Sequence, residues 1–197
     1  VPADKINSIC DALRALLEKD LVMYVETILT THVCKQPPDY ESGLRVLLQL
    51  QKAHPEIVEE AIKYIIFLSN VNQLYDVALG MYDFQLVLMV AQYSQKDPKE
   101  YLPFLRELRA LEPHDQRFRI DDHLGRRDRA LRNLAAAGPT RFADASSYLS
   151  RYELYDTAFE LYKDDNESLA VVHELYGDYL YDRRDFYDAA ICELLES

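Results

Sequence analysis

The sequence predicts an all-α chain, an irregular tetratricopeptide-like α-solenoid of stacked antiparallel helix pairs. Three observations predict it. Apolar residues recur with helical period along nearly all of the 197 residues. Short turns marked by Pro, Gly and Asp separate the periodic stretches. One phrase returns along the chain, the signature of a repeat architecture.

The elements follow in order. In Lys5–Lys19 the residues Ile6, Ile9, Cys10, Leu13, Leu16 and Leu17 form one apolar stripe. The stretch Leu21–Val33 continues it. Pro37-Pro38 breaks the pattern, and Tyr40–Ala53 resumes with Leu44, Leu47, Leu48 and Leu50. His54-Pro55-Glu56 opens the next helix, because proline at the first helical position gives up an N–H that has no partner there anyway. That helix carries Ile57, Val58, Ala61, Ile62, Ile65 and Ile66. Phe84–Gln92 reads as strand or as buried helix; helices on both sides favour helix. In Asp97-Pro98-Lys99-Glu100, Asp97 can cap, Pro98 fits the first position and Glu100 meets the N-terminal dipole. Gly138-Pro139 ends one helix and begins another. About thirteen helices of roughly 10–17 residues are expected, without a sheet.

The repeated phrase is Leu74-Tyr75-Asp76-Val77-Ala78-Leu79-Gly80-Met81-Tyr82. It recurs as Leu154-Tyr155-Asp156-Thr157-Ala158-Phe159-Glu160-Leu161-Tyr162 and as Phe186-Tyr187-Asp188-Ala189-Ala190-Ile191-Cys192-Glu193-Leu194. A weaker copy surrounds Ala130, with Arg127 before it and Leu134 after it. Positions −3, 0 and +4 about the alanine share one helix stripe. The small residue lets a neighbouring helix approach, and the larger residues Tyr75 and Tyr82, Tyr155 and Tyr162, or Tyr187 and Leu194 fill the space on either side. The aspartate is expected near a helix N-terminus, where negative charge is favoured. Spacings between the alanines are 52, 28 and 32 residues, against about 34 in the ideal tetratricopeptide repeat. An ordinary helical bundle with a chance recurrence of Tyr-Asp-x-x-Ala is the alternative.

Hydrophobic residues make up 49% of the chain, enough for a sizeable core. No apolar run reaches the roughly 18–20 residues of a membrane span, so no membrane contact is expected. The chain has no initiator Met and ends in helical sequence, so it reads as one solenoid segment, residues 1–197, of a larger protein. Cys10, Cys34 and Cys192 are sparse and odd in number, which fits buried thiols in a reducing compartment, cytoplasm or also nucleus.

Chemistry-bearing motifs are absent from the sequence. Five histidines have no HxxxH or HExxH spacing, and five glycines build no phosphate cradle. Carboxylate pairs such as Asp121-Asp122 and Asp164-Asp165 sit among charged residues, as solvated helix ends do. No catalytic residue, cofactor or metal is expected. The net charge of −12 argues against a polyanion binder overall, yet residues 99–141 hold ten basic and seven acidic residues. Within that island Arg126, Arg129 and Arg132 follow at i, i+3, i+6, opposite Leu131 and Leu134, with Arg117, Arg119 and Arg141 nearby. Three readings stand: the arginines neutralise neighbouring acidic helices, they dock an acidic partner, or they contact RNA phosphates.

Two runs go beyond what helix packing demands. One is Tyr75 through Val87; the other is Ser94-Gln95-Lys96-Asp97-Pro98-Lys99-Glu100-Tyr101-Leu102-Pro103-Phe104-Leu105. Arg117-Phe118-Arg119-Ile120-Asp121 and Tyr176-Gly177-Asp178-Tyr179-Leu180 are landmarks downstream. Together they resemble the family of the largest Elongator subunit, the IKI3/IKAP family, over most of the chain. The resemblance implies a stretch of the helical solenoid that follows the family's β-propellers. It implies a non-catalytic scaffold in a complex that modifies wobble uridines of tRNA anticodons. The expected partners are the propeller subunit and the radical-SAM acetyltransferase subunit, which carries the chemistry. A homodimer is expected in the full-length protein, through a region outside or at the end of this segment. The family's strongly basic tRNA-binding stretch has no matching run, so direct tRNA contact is not expected here. A generic repeat adaptor in trafficking or signalling is the alternative.

Overall fold

The structure, a computed structural model, describes residues 2–183. Among these residues there are twelve α-helices and no strand. The chain divides into two compact units between Glu107 and Leu108.

The first unit holds α1 (Ala3–Leu17), α2 (Val25–Val33), α3 (Tyr40–Ala53), α4 (Pro55–Leu68), α5 (Val71–Gly80) and α6 (Phe84–Tyr93). Helix α7 (Pro98–Arg109) spans the division. In the first unit α2 packs on α3 and α4, α3 on α4 and α5, and α6 on α4 and α5. Packing against both the next helix and the next but one is solenoid stacking. The apolar stripes meet in a core where Ile28, Leu29, Leu44, Leu47, Ile62, Ile65, Leu74 and Leu86 are fully buried. Gly43 of α3 lets the helices close up: a Cβ there would lie 3.1 Å from Ile65 Cδ1 and 3.6 Å from His32 Cβ.

The helix start read at Asp97 is present, and aspartates cap two further helices. The Asp39 carboxylate accepts from Ser42 N at 3.1 Å, that of Asp83 from Leu86 N at 3.0 Å and that of Asp97 from Lys99 N at 2.9 Å. Phe84–Gln92 is helical, as its flanks required. The stretch Leu21–Val33 departs from expectation, since α2 begins only at Val25. The Asp20 carboxylate accepts from Met23 N at 3.2 Å and holds a turn that competes with helix.

The second unit holds α8 (Pro113–His123), α9 (Arg127–Ala136), α10 (Phe142–Tyr152), α11 (Tyr155–Tyr162) and α12 (Asn166–Asp182). Helix α9 touches α8, α10 and α11, and α12 touches α10 and α11. Gly125, at φ +71°, makes the tight turn from α8 to α9, where Arg126 N donates to Asp121 O at 2.8 Å. The core comprises Ala130, Leu131, Leu134, Ala145, Tyr148, Leu149, Tyr155, Ala158, Tyr162 and Val172.

Ala78, Ala130 and Ala158 each have no exposed surface, and Tyr75, Leu134, Tyr155 and Tyr162 are buried beside them. Tyr187, Ala190 and Leu194 lie outside the described residues. Two members of the phrase depart from expectation. Tyr82 lies beyond the end of α5, half-buried at φ +60°, because the chain turns off the helix at Met81. Asp128 and Asp156 are the second residues of their helices, but Asp76 stands sixth in α5, too far in for the N-terminal dipole. Asp128 has a further role: its carboxylate accepts from Thr157 Oγ1 at 2.6 Å, linking one copy of the phrase to the next.

Two outcomes follow from this packing. Ala158→Leu should destabilise the second unit by about 1–3 kcal/mol through overpacking. Tyr162→Ala should cost about 3–5 kcal/mol, while Tyr82→Ala, in its half-exposed turn, should cost less. Urea denaturation of the three variants measures all of this.

His32 gives the first unit an acid limit. Burial above all, and then the charge of Arg14, hold its imidazole below the ordinary value of 6.5. The unfolded chain therefore takes up this proton at a higher pH than the folded one. The stability involved is complete above about pH 6.5 and is lost as the pH falls from there towards the lowered folded value. The urea midpoint should drop over that window, and His32→Gln should flatten the drop.

Candidate interaction surface

The arginine island runs from α7 through the α8–α9 hairpin to Arg141, just before α10. Its basic side chains meet carboxylates brought close by the fold. Asp121 is fully buried; its Oδ2 accepts from Asn133 Nδ2 at 2.9 Å, and Arg126 lies 4.0 Å from Oδ1. Arg132 pairs with Glu160 of α11 at 2.7 Å. Arg141 pairs with Asp115 and with Asp144, each at 2.8 Å.

The most fully held arginine is one that sequence reasoning left off the candidate surface. Arg127 pairs with the Asp122 carboxylate, donates to Asp122 O at 2.9 Å and to Tyr148 Oη at 3.3 Å, and lies 4.2 Å from the centre of the Tyr152 ring. Tyr148 Oη donates to Asp122 Oδ1 at 2.8 Å, and Phe118 meets the Tyr148 ring edge-on. The Asp122–Arg127 spacing was open to a reader of the sequence. Tyr148, 26 residues from Asp122, gave no signal.

The five proposed contact residues thus divide. Arg126 and Arg132 already face carboxylates of their own chain. Arg117, Arg119 and Arg129 are exposed. Among the described residues neither Arg119 nor Arg129 forms an ion pair. Beside this surface Phe118, Leu134, Arg141, Asp144, Ser147, Tyr148 and Arg151 line an open cleft of about 380 Å³. Arg141 in its lining is paired with two carboxylates. Such a surface can bind through charge and shape. Among the described residues no three His, Cys, Asp or Glu side chains gather to hold a metal ion, and no helix is long and apolar enough to cross a membrane.

Burial, with the Asp122 hydrogen bond adding to it and Arg127 opposing, pushes the Tyr148 hydroxyl up to about 12. The unfolded phenol ionises near 10. The stability from keeping Tyr148 protonated is therefore present below about pH 10 and is lost as the pH rises from there towards 12. Tyr148→Phe should cost about 0.5–1.5 kcal/mol at neutral pH and weaken that alkaline loss, read by urea denaturation across pH.

Comparison with known proteins adds a lineage to this geometry. The model described as ELP1 alpha-solenoid matches residues 1–108, and that described as ELP1 TPR domain matches residues 115–196. The chain divides into its compact units one residue before the first match ends. The chain is 42% identical over 188 residues to the putative elongator complex protein 1 of Xenopus laevis, covering 93% of this chain and 16% of that protein. It is 43% identical over 182 residues to elongator complex protein 1 of Mus musculus, covering 89% of this chain and 14% of that protein. The Saccharomyces cerevisiae protein of the same name is 35% identical over 192 residues, with 95% and 14% covered.

Proposed function

The chain belongs to the ELP1 family, and we propose that it is a non-catalytic scaffold segment of an Elongator assembly that modifies wobble uridines of tRNA anticodons. It spans about a sixth to a seventh of the length of the relatives it matches. One observation carries the reading: a solenoid match and a repeat match follow one another along nearly the whole chain, each over one compact unit. Stacked repeats give a rigid extended surface, which suits assembly. The partners proposed are the propeller subunit and the radical-SAM acetyltransferase subunit, in the cytoplasm or also the nucleus.

Within this role Arg119 and Arg129, with Arg117, face outward to an acidic surface of a partner subunit. Arg126 and Arg132 serve to bind α8 and α9 into their own unit. The sequence proposed all five as contacts; the carboxylates at Asp121 and Glu160 favour this division.

The test is Arg119→Glu with Arg129→Glu in the assembled complex. Stability should stay within about 0.5 kcal/mol, as for surface changes generally. Recovery of the other subunits should fall about ten-fold at low salt, and the gap to the unmutated protein should narrow as salt rises. Unchanged recovery would mean that these arginines only balance the acidity of their own chain. Unchanged recovery with weakened tRNA binding whose salt slope has flattened would make the face an RNA site instead.

A further inference from the structure

Helix α10 gives one of its faces to the open cleft of the second unit. Arg141, Asp144, Ser147, Tyr148 and Arg151 recur along it at helical spacing and line that cleft, with Phe118 from α8 and Leu134 from α9. Its volume of about 380 Å³ falls in the range usual for ligand pockets, roughly 300–1,000 Å³. The stretch of α10 from Arg141 to Arg151 is about 15 Å long at 1.5 Å per residue. An extended chain covers that distance in about four or five residues.

The two ends of the cleft differ in charge. At the start of α10 the Arg141 guanidinium meets two carboxylates, Asp115 and Asp144, each 2.8 Å away. At the other end Arg151 is exposed and forms no ion pair among the described residues. Its guanidinium lies 5.9 Å from the centre of the Tyr152 ring. Arg127 lies 4.2 Å from the centre of the same ring, and Asp122 matches its charge. Two guanidiniums thus gather about one ring, with a carboxylate for only one of them. In this chain of net charge −12, Arg126, Arg127, Arg132 and Arg141 all face carboxylates of their own unit. An arginine left without one, at the end of a cleft, is a place for a carboxylate from outside.

We propose that this cleft binds a short extended acidic segment of a partner protein, with a carboxylate on Arg151 and a large apolar side chain against Phe118 and Leu134. Asp144, more than half exposed at the other end, can accept a backbone N–H of the same segment. A peptide can place its charge at one end and an apolar residue in the middle, as this lining requires. A nucleic-acid strand carries a charge at every nucleotide. Such a strand would meet, at the Arg141 end, two carboxylates set against one cation. Neither Arg119 nor Arg129 lines the cleft, so it is a second site, apart from the outward arginines.

The test starts from random heptapeptides displayed on phage and selected against the native polypeptide. Enriched sequences are remade as free fluorescein-labelled peptides, and their affinities are read by fluorescence polarisation. They should combine an Asp or Glu with a nearby Leu, Phe or Tyr. Arg151→Glu should weaken their binding about ten-fold, and Arg151→Gln should weaken it less. Arg129→Glu, outside the cleft, should leave it unchanged. Should Arg151→Glu alter the thermal unfolding curve, Arg151→Gln decides alone. A selection that yields no peptide sensitive to Arg151 overturns the proposal and leaves the scaffold reading standing. Equal losses with Arg151→Glu and Arg129→Glu overturn it too, since they would mean attraction by charge without a cleft. Fluorescein-labelled oligouridine that loses affinity with Arg151→Glu, while the peptides do not, overturns it in favour of RNA.

Discussion

Close approach between helices is the constraint on which the rest of this structure depends. A solenoid buries its core only if each helix can touch the next and the next but one, and that requires a side chain of almost no size at the crossing. Ala78, Ala130 and Ala158 have no exposed surface, and Gly43 sits where even a methyl group would press on Ile65. Around those points the larger residues have fixed duties. Tyr155 and Tyr162 flank Ala158 on one stripe, Leu134 lies a turn beyond Ala130, and the rings of Phe142 and Tyr162 meet edge-on with centres 5.1 Å apart. Density of this kind explains why volume changes at an alanine propagate: the neighbouring backbone has nowhere to go.

The same constraint decides what could be read from the sequence. Period, small residue and cap are local, so helices such as Tyr40–Ala53 were legible to their ends. Tyr82 was not, because its neighbours fit the phrase while a turn at Met81 takes it off the helix. Nor was the α1–α2 connection, where one aspartate side chain outcompetes apolar period for the backbone of Met23. On the candidate surface, charge and spacing located the arginines but not their partners. Arg132 meets Glu160 and Arg141 meets Asp115 only because α8, α9, α10 and α11 stack, and pairings 28 and 26 residues apart leave no trace in local spacing. Sequence left neutralisation and docking both open, and the fold gives Arg126 and Arg132 carboxylates of their own chain.

The run from Ser94 to Leu105 illustrates how a family signature acquires physical content. Helix packing needs only its apolar letters. The polar ones build the junction that joins α6 to α7. Gln95 takes a left-handed conformation at φ +57°, Lys96 reaches back to Asn72 at 2.9 Å and lies 4.9 Å from the centre of the Tyr75 ring, and Asp97 caps the helix that follows. Lys96 therefore ties the second motif to the first copy of the repeated phrase. The two runs thus touch here, and each supplies part of one corner.

Charge then separates what holds the segment together from what it offers outward. Surface ion pairs contribute little each, about 0–1 kcal/mol, but they fix which arginines are spoken for. Arg126 beside buried Asp121, and Arg127 between Asp122, Tyr148 and Tyr152, stiffen the α8–α9 hairpin against α10. Arg119 and Arg129 have no such duty among the described residues and stand exposed. In a chain of net charge −12, cations left over after internal pairing form a local reversal of sign that an acidic surface can recognise from a distance. The scaffold role proposed for this segment would use such a steerable, salt-sensitive face where another subunit must be found and held.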